Sequence, residues 1–188
     1  MQTLQQLDVS LFLFFNKDIA NPFLDAVCPL WRNKFFWIPL YVFLGALFFK
    51  KYKWQSLWVV VFAALVVLLA DQISASLIKP FFARLRPCNN PELVAQIKLL
   101  VRCGSGYSFV SSHAANHFGL AVFLCFLFKQ TWVRILLMLW AASIAFSQVY
   151  VGVHFPADVC CGALLGIAIG WLVGTIFNSK IGVKLNEV

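Results

Sequence analysis

Long apolar runs alternate with short polar stretches along the chain. Five runs reach or approach the length needed to cross a bilayer: residues 35–49, 57–78, 114–128, 133–149 and 159–177. A spanning helix takes roughly 20 residues. The first run is short, but Lys34 and Lys50 bracket it with stems long enough to snorkel to the headgroups. Before it, Leu4, Leu7, Leu11, Phe14 and Phe15 recur at three- and four-residue steps. That spacing predicts an amphipathic helix lying at the membrane interface. A second short helix is predicted over residues 22–31. A sixth span would have to come from residues 1–33, where Asp8, Lys17, Asp18 and Asp25 argue against one. The predicted fold class is therefore all-α. It is a polytopic transmembrane helix bundle of five spans, or six if residues 1–33 cross, with an N-terminal interfacial helix and a single domain over 1–188.

Composition agrees with that reading. The chain has 188 residues, 62% hydrophobic and 12% charged, which excludes an ordinary soluble domain. The first residues lack a basic region and Asp8 interrupts the early apolar run, so no cleavable signal is expected. The formal charge of +8 raises nucleic acid as a partner. The basic residues mostly flank apolar runs, however, which is the pattern of membrane topology. No nucleic-acid partner is expected. Lys50, Lys51 and Lys53, then Lys129 and Arg134, then Lys180 and Lys184 fall on one face if the spans alternate. The positive-inside rule makes that face cytoplasmic. The opposite face carries as many basic residues, so the rule is not clean. Trp54, Trp58 and Trp132 sit near the cytoplasmic boundary as an aromatic belt would.

Three polar islands fall on the other, outer face. In the first, Lys79 and Arg86 stand seven residues apart and share a side if the segment is helical, with Pro80 in a first turn and Pro87 ending the run. Two cations at a membrane boundary suit a phosphate, although lysine and arginine also snorkel there without one. In the second, Ser111 or Ser112 can cap the third span and leave free N–H groups for an anion beside His113. An ordinary cap with an interfacial histidine would read the same. His117, one turn on, faces a neighbouring helix or the pocket rim. In the third, Asp158 lies in the first turn of the last span and reaches back to orient His154. A histidine so held is a competent nucleophile or base, or simply half of a structural pair. With three histidines and no zinc-type cysteine spacing, no metal and no cofactor are expected. Cys88 and Cys103 lie in the single long outer loop, an oxidising setting in which a disulfide is expected. Cys28, Cys125, Cys160 and Cys161 read as small packing residues.

Taken together, the islands resemble the type-2 phosphatidic acid phosphatase superfamily, which shares its site with vanadium haloperoxidases. The family motifs are Lys-x6-Arg-Pro, Pro-Ser-Gly-His and Ser-Arg-x5-His-x3-Asp. Lys79 to Pro87 fits the first completely. Val110-Ser111-Ser112-His113 fits the second at Ser and His. Ser147 to Asp158 fits the third except that Gln148 replaces its arginine. The match covers residues 79–158 as a catalytic core, and residues 1–33 carry no motif.

The resemblance implies metal-independent hydrolysis of a lipid phosphate or diphosphate through a phosphohistidine. His154 would attack phosphorus, Asp158 would orient it, and His113 would protonate the leaving oxygen. Lys79, Arg86, Ser111, Ser112 and Gln148 would hold the phosphate. At Gln148 the chain departs from the family: either Arg84 or Arg102 supplies the missing cation, or turnover is lower without it. Undecaprenyl diphosphate and phosphatidylglycerol phosphate are the favoured substrates, with lipid A as the alternative. A decayed scaffold that binds or transports a lipid phosphate is a second class, favoured by Gln148. A vanadate-dependent oxidant is a third, against which the membrane composition speaks. The expected location is the bacterial inner membrane, with the site on the periplasmic side. The sequence says nothing of oligomeric state.

Overall fold

The structure, a computed structural model, describes residues 2–182, so Lys184 lies outside it. Among the described residues it is helical throughout, with no strand. α1 (Gln2–Leu13) runs on into a π-wound turn, Phe14–Asp18. α2 (Pro22–Trp31) starts where the Asn21 side chain accepts the Leu24 N–H at 3.0 Å, leaving Pro22 in the first turn where its missing N–H costs nothing. α3 (Ile38–Tyr52) and α4 (Ser56–Gln72) pack against each other across a break at Lys53, whose φ is 51°. α4 continues through a π-wound turn, Ile73–Ile78, into the short α5 (Lys79–Phe82). After a long loop come α6 (Ser112–Cys125), α7 (Thr131–Tyr150) and α8 (Pro156–Phe177).

Among the described residues, three helical stretches are long and apolar enough to cross a membrane: Lys34–Phe82, Thr131–Tyr150 and Pro156–Ile181. The first contains two of the predicted runs, because helical winding persists through the break at Lys53. α6, at 14 residues, is the shortest of the helices that cover the predicted runs. It rises about 21 Å at 1.5 Å per residue, short of a ~30 Å hydrocarbon core.

One narrow face of α1 and of the turn after it packs inward, although Thr3, Gln5, Gln6 and Ser10 are exposed. Asp8, Phe12 and Asn16, four residues apart, are buried, while Leu4, Leu7, Leu11 and Phe14 are exposed. The apolar stripe that predicted this helix thus points away from the protein. Asn16 clamps the helix to the rest: its Nδ2 donates to the carbonyls of Lys98 and Tyr150, both at 2.7 Å, and its Oδ1 accepts the Lys98 N–H at 2.8 Å.

α6 forms the centre of the bundle, with no exposed residue and with α4, α7 and α8 packed around it, and α8 approaches it at backbone distance. Gly162, Gly166 and Gly170 lie against Ser111, Ala115 and Gly119. A Cβ at any of the three would overlap a carbonyl oxygen of α6 or its cap. Small residues four apart let two helices touch where lipid offers no hydrophobic drive to bring them together. At the end of α3 and the α6–α7 turn, Lys50, Lys51 and Lys129 border a cleft of about 930 Å³. Those basic connections therefore converge, as the alternating pattern predicts.

Gly166→Ala should lower the thermal midpoint in detergent, costing on the order of 1–3 kcal/mol as an overpacking change. Gly45→Ala, where nothing lies within 4 Å, is the matched control and should hold or raise the midpoint. Equal melting of the Gly166 and Gly45 variants would mean that the α6–α8 contact is looser than described.

Candidate active site

The three islands meet at one end of the bundle. α5 ends because Ala83 turns left-handed, with φ 46°, and the chain then runs extended through Arg86. Lys79 and Arg86 are therefore not on one helix face, as the seven-residue spacing predicted. They converge by gripping the same loop. Lys79 Nζ donates to the carbonyls of Tyr107 and Ser108 at 2.9 and 3.2 Å, and Arg86 Nε donates to that of Gly106 at 2.9 Å. The Cys88–Cys103 disulfide, with Cα atoms 6.0 Å apart, ties the two ends of the intervening segment. Asn89 Nδ2 adds a bond to the Gly104 carbonyl at 3.0 Å.

Ser111 is the cap of α6, its Oγ accepting the Ala114 N–H at 3.4 Å. Its own N–H donates to the Asp158 carbonyl at 2.9 Å, joining the start of α6 to the start of α8. Ser112 is committed elsewhere, because its Oγ meets Ser74 Oγ at 2.8 Å in the π-wound turn after α4. His117 belongs to the core. Its Nδ1–H donates to the His113 carbonyl at 2.7 Å, and its ring lies against Trp140. His113 stacks on it with ring centroids 6.2 Å apart.

His154 follows a turn at Gly152, whose φ of 90° favours glycine and whose absent Cβ would sit 2.9 Å from the Lys98 carbonyl. The imidazole is buried between two partners. Nδ1 lies 3.5 Å from Asp158 Oδ2 and 3.3 Å from Ser108 Oγ. Nε2 lies 3.0 Å from Arg86 Nη1. An arginine only donates, so Nε2 carries the lone pair and Nδ1 the proton. That is the tautomer a nucleophilic Nε2 needs. Asp158 is saturated with donors. Its Oδ2 accepts the Phe155 N–H at 2.8 Å and the Ser108 hydroxyl, and its Oδ1 accepts Arg84 Nη1 at 2.8 Å.

Three contributors escape the sequence reading. Asp8 of α1 takes the other Arg84 nitrogen at 2.6 Å and the Ala157 N–H at 2.8 Å, so Arg84 bridges two acids. Arg84 is thus not the cation at Gln148. Arg102 is exposed and is not it either. Arg32, after α2, donates to Gln148 Oε1 at 3.1 Å. Ser108 completes the shell of Asp158. A lone acid in an apolar helix was a usable signal for Asp8. Arg32 and Ser108 stand in no pattern.

The charges do not balance. Arg84 occupies both acids, and among the described residues Lys79, Arg86 and Arg32 pair with none. Such a site favours an anion. Burial pushes His154 down to about 4, against the pull of Asp158 in the other direction, while Arg86 adds to the fall. Burial likewise lowers Arg86 and Arg32 from the ordinary arginine range.

Residues 60–181 match the model of the PAP2 superfamily. A lipid A 4'-phosphatase of Bacteroides thetaiotaomicron is 38% identical over 175 residues, 92% of this chain and 77% of that one. The lipid A 4'-phosphatase of Porphyromonas gingivalis is 32% identical, over 94% of this chain and 75% of its own. Among solved structures, the PAP2-type phosphatidylglycerolphosphate phosphatase from Bacillus subtilis superposes with a TM-score of 0.73 at 26% identity. That superposition covers 96% of this chain and 89% of that one.

The lowered basicity of His154 has a definite sign. Between its ordinary 6.5 and about 4 the folded protein keeps the ring neutral, while an unfolded chain would take up a proton. Stability should therefore be full above 6.5 and fall as pH drops toward about 4. NMR of histidine-labelled protein in detergent, with His154→Ala for assignment, should find this ring neutral near pH ~5.5, where a free histidine is mostly charged. A midpoint near 6.5 would show that burial does not control this group.

Proposed function

The chain belongs to the PAP2 superfamily, and from that premise we propose which reaction, substrate and membrane side its site serves. It is a membrane lipid phosphatase. The reaction is a two-step transfer. His154 Nε2 attacks phosphorus as the bond to the leaving oxygen breaks, and His113 gives that oxygen a proton. Water then attacks the phosphohistidine, His113 takes its proton, and phosphate leaves with His154 restored. The observation that carries this is the setting of His154, whose Nδ1 lies 3.5 Å from Asp158 Oδ2 and whose Nε2 lies 3.0 Å from Arg86 Nη1, a donor that leaves the lone pair on Nε2. Lys79, Arg86, Ser111 and the free N–H groups at the start of α6 stabilise the charge that spreads over the phosphoryl oxygens. Those cations supply the charge neutralisation, so no divalent ion is required.

The preferred substrate is a phosphate on a lipid A-type glycolipid. The two relatives of that activity align along almost the whole chain. Phosphatidylglycerol phosphate is the second reading, on the likeness to the Bacillus subtilis fold. The protein is a single domain that crosses a bacterial inner membrane five times, with residues 1–33 at the interface and the site on the periplasmic side. The convergence of Lys50, Lys51 and Lys129 at the far end, and the exposure of Trp54, Trp58 and Trp132, support that orientation.

Phosphate release should be measured in detergent with chelator present, over lipid A phosphates, phosphatidylglycerol phosphate and undecaprenyl diphosphate. Release from lipid A should lead, and His154→Ala should lose several orders of magnitude on every substrate. Full turnover in His154→Ala would reject the covalent mechanism. Loss on chelation, restored by magnesium, would reject metal independence. For topology, a single cysteine at Ser105 should label from the periplasmic side only. Labelling from the cytoplasmic side would invert the orientation.

A further inference from the structure

Arg32 caps the C-terminal end of α2, and its surroundings hold it there. Trp31 Nε1 donates to Ser143 Oγ on α7 at 2.8 Å, and Trp37 Nε1 donates to the Trp31 carbonyl at 2.7 Å. Earlier in α2, Asp25 accepts Lys98 Nζ at 2.5 Å and the Tyr150 hydroxyl at 2.8 Å. The charge on Asp25 is thereby used, and the helix is pinned to the loop and to α7. The guanidinium of Arg32 itself has no acid. Among the described residues its one hydrogen bond is Nε to Gln148 Oε1, which leaves both terminal nitrogens without an acceptor.

Gln148 mirrors this. It is wholly buried, its Oε1 is taken by Arg32, and its Nε2 has no partner. A buried amide donor with no acceptor is costly unless something supplies one, and beside it the half-buried Arg32 guanidinium leaves its terminal nitrogens open to an incoming anion. Both lie where an anion would be met. Arg32 has Arg86 within electrostatic reach, and His113 has Arg32, His154 and Arg86 within the same range.

We propose that Arg32 and Gln148 form one composite phosphate grip. The terminal nitrogens of Arg32 bind the phosphoryl oxygens, and Gln148 fixes the guanidinium through Oε1 while giving its Nε2–H to the same group. The positive charge absent from the α7 position of the third motif comes instead from α2, in the part of the chain that carries no motif. This deepens the phosphatase reading and rests on it for the identity of the anion. It also makes α2 part of the site rather than a membrane-surface accessory.

The test uses the full chain in detergent, with binding of inorganic phosphate and of vanadate read by calorimetry alongside lipid turnover and melting. Arg32→Ala should weaken phosphate binding roughly 10- to 100-fold and lower kcat/KM about 10²- to 10³-fold. Arg32→Lys should recover part of the affinity. Gln148→Arg alone should also lose activity, because two guanidiniums would compete for one place. The exchange Arg32→Gln with Gln148→Arg should regain at least about tenfold over either single change, a coupling that independent sites do not show. A melting loss in Arg32→Ala with phosphate affinity and turnover retained would overturn the assignment and leave Arg32 structural. If Arg32→Ala does not fold, Arg32→Lys and the exchange decide in its place, and a failure of the exchange to recover binding rejects the grip. Wild-type protein that binds phosphate through Arg32 yet releases none from any lipid would remove the hydrolytic reading and keep this one.

Discussion

The Asp158 carboxylate organises this protein. It is fully buried and charged, and a buried charge persists only when its lone pairs are met. Four donors meet them: the Phe155 N–H, the Ser108 hydroxyl, Arg84 and the Nδ1–H of His154. They come from three segments: His154 and Phe155 from the entry to α8, Ser108 from the end of the outer loop, and Arg84 from the extended stretch that leads to Arg86. Arg84 then carries the connection on to Asp8, which draws α1 against the site. The local demand of one carboxylate thus specifies the placement of four pieces of chain and the tautomer of a histidine.

Close packing sets the remaining geometry. α6 and α8 touch through Gly162, Gly166 and Gly170, with no side chain between the backbones. The Ser111 N–H then reaches the Asp158 carbonyl at 2.9 Å, which locks the two helix starts together. The start of α6, which carries His113, is therefore held against the start of α8, which His154 precedes. On the other side, Gly152 and Asn16 hold the turn that presents His154, and Lys79, Arg86 and the Cys88–Cys103 bridge hold the loop over it.

The charge distribution has a simple logic. Outer helix surfaces are apolar, including the exposed Leu4, Leu7 and Leu11 stripe of α1, and nearly every buried polar side chain is spent on the site or on clamping a segment to it. Arg84 neutralises Asp8 and Asp158. Lys79, Arg86 and Arg32 remain as an uncompensated positive cluster. Loop carbonyls accept from Lys79 and Arg86, while Gln148 accepts from Arg32 through one nitrogen only.

The sequence by itself determined the family, the helical plan and which polar islands meet. His154, Asp158, His113, Lys79 and Arg86 were legible because charged residues are conspicuous in apolar surroundings, and because alternation of the runs puts their islands on one face. The Cys88–Cys103 pairing was legible from their shared loop. Tertiary structure decided what periodicity cannot encode. Ala83 breaks the helix between Lys79 and Arg86, so their meeting depends on loop carbonyls rather than on a seven-residue spacing. Ser112 turns to Ser74 because the π-wound turn of α4 presents a hydroxyl there. Arg84 serves the acids, Arg102 stays at the surface, and Arg32 takes the place beside Gln148. Those outcomes join residues 74 to 116 positions apart in sequence. Spacing reports neighbours along a helix or a strand, whereas contacts at such range are set by how the helices pack.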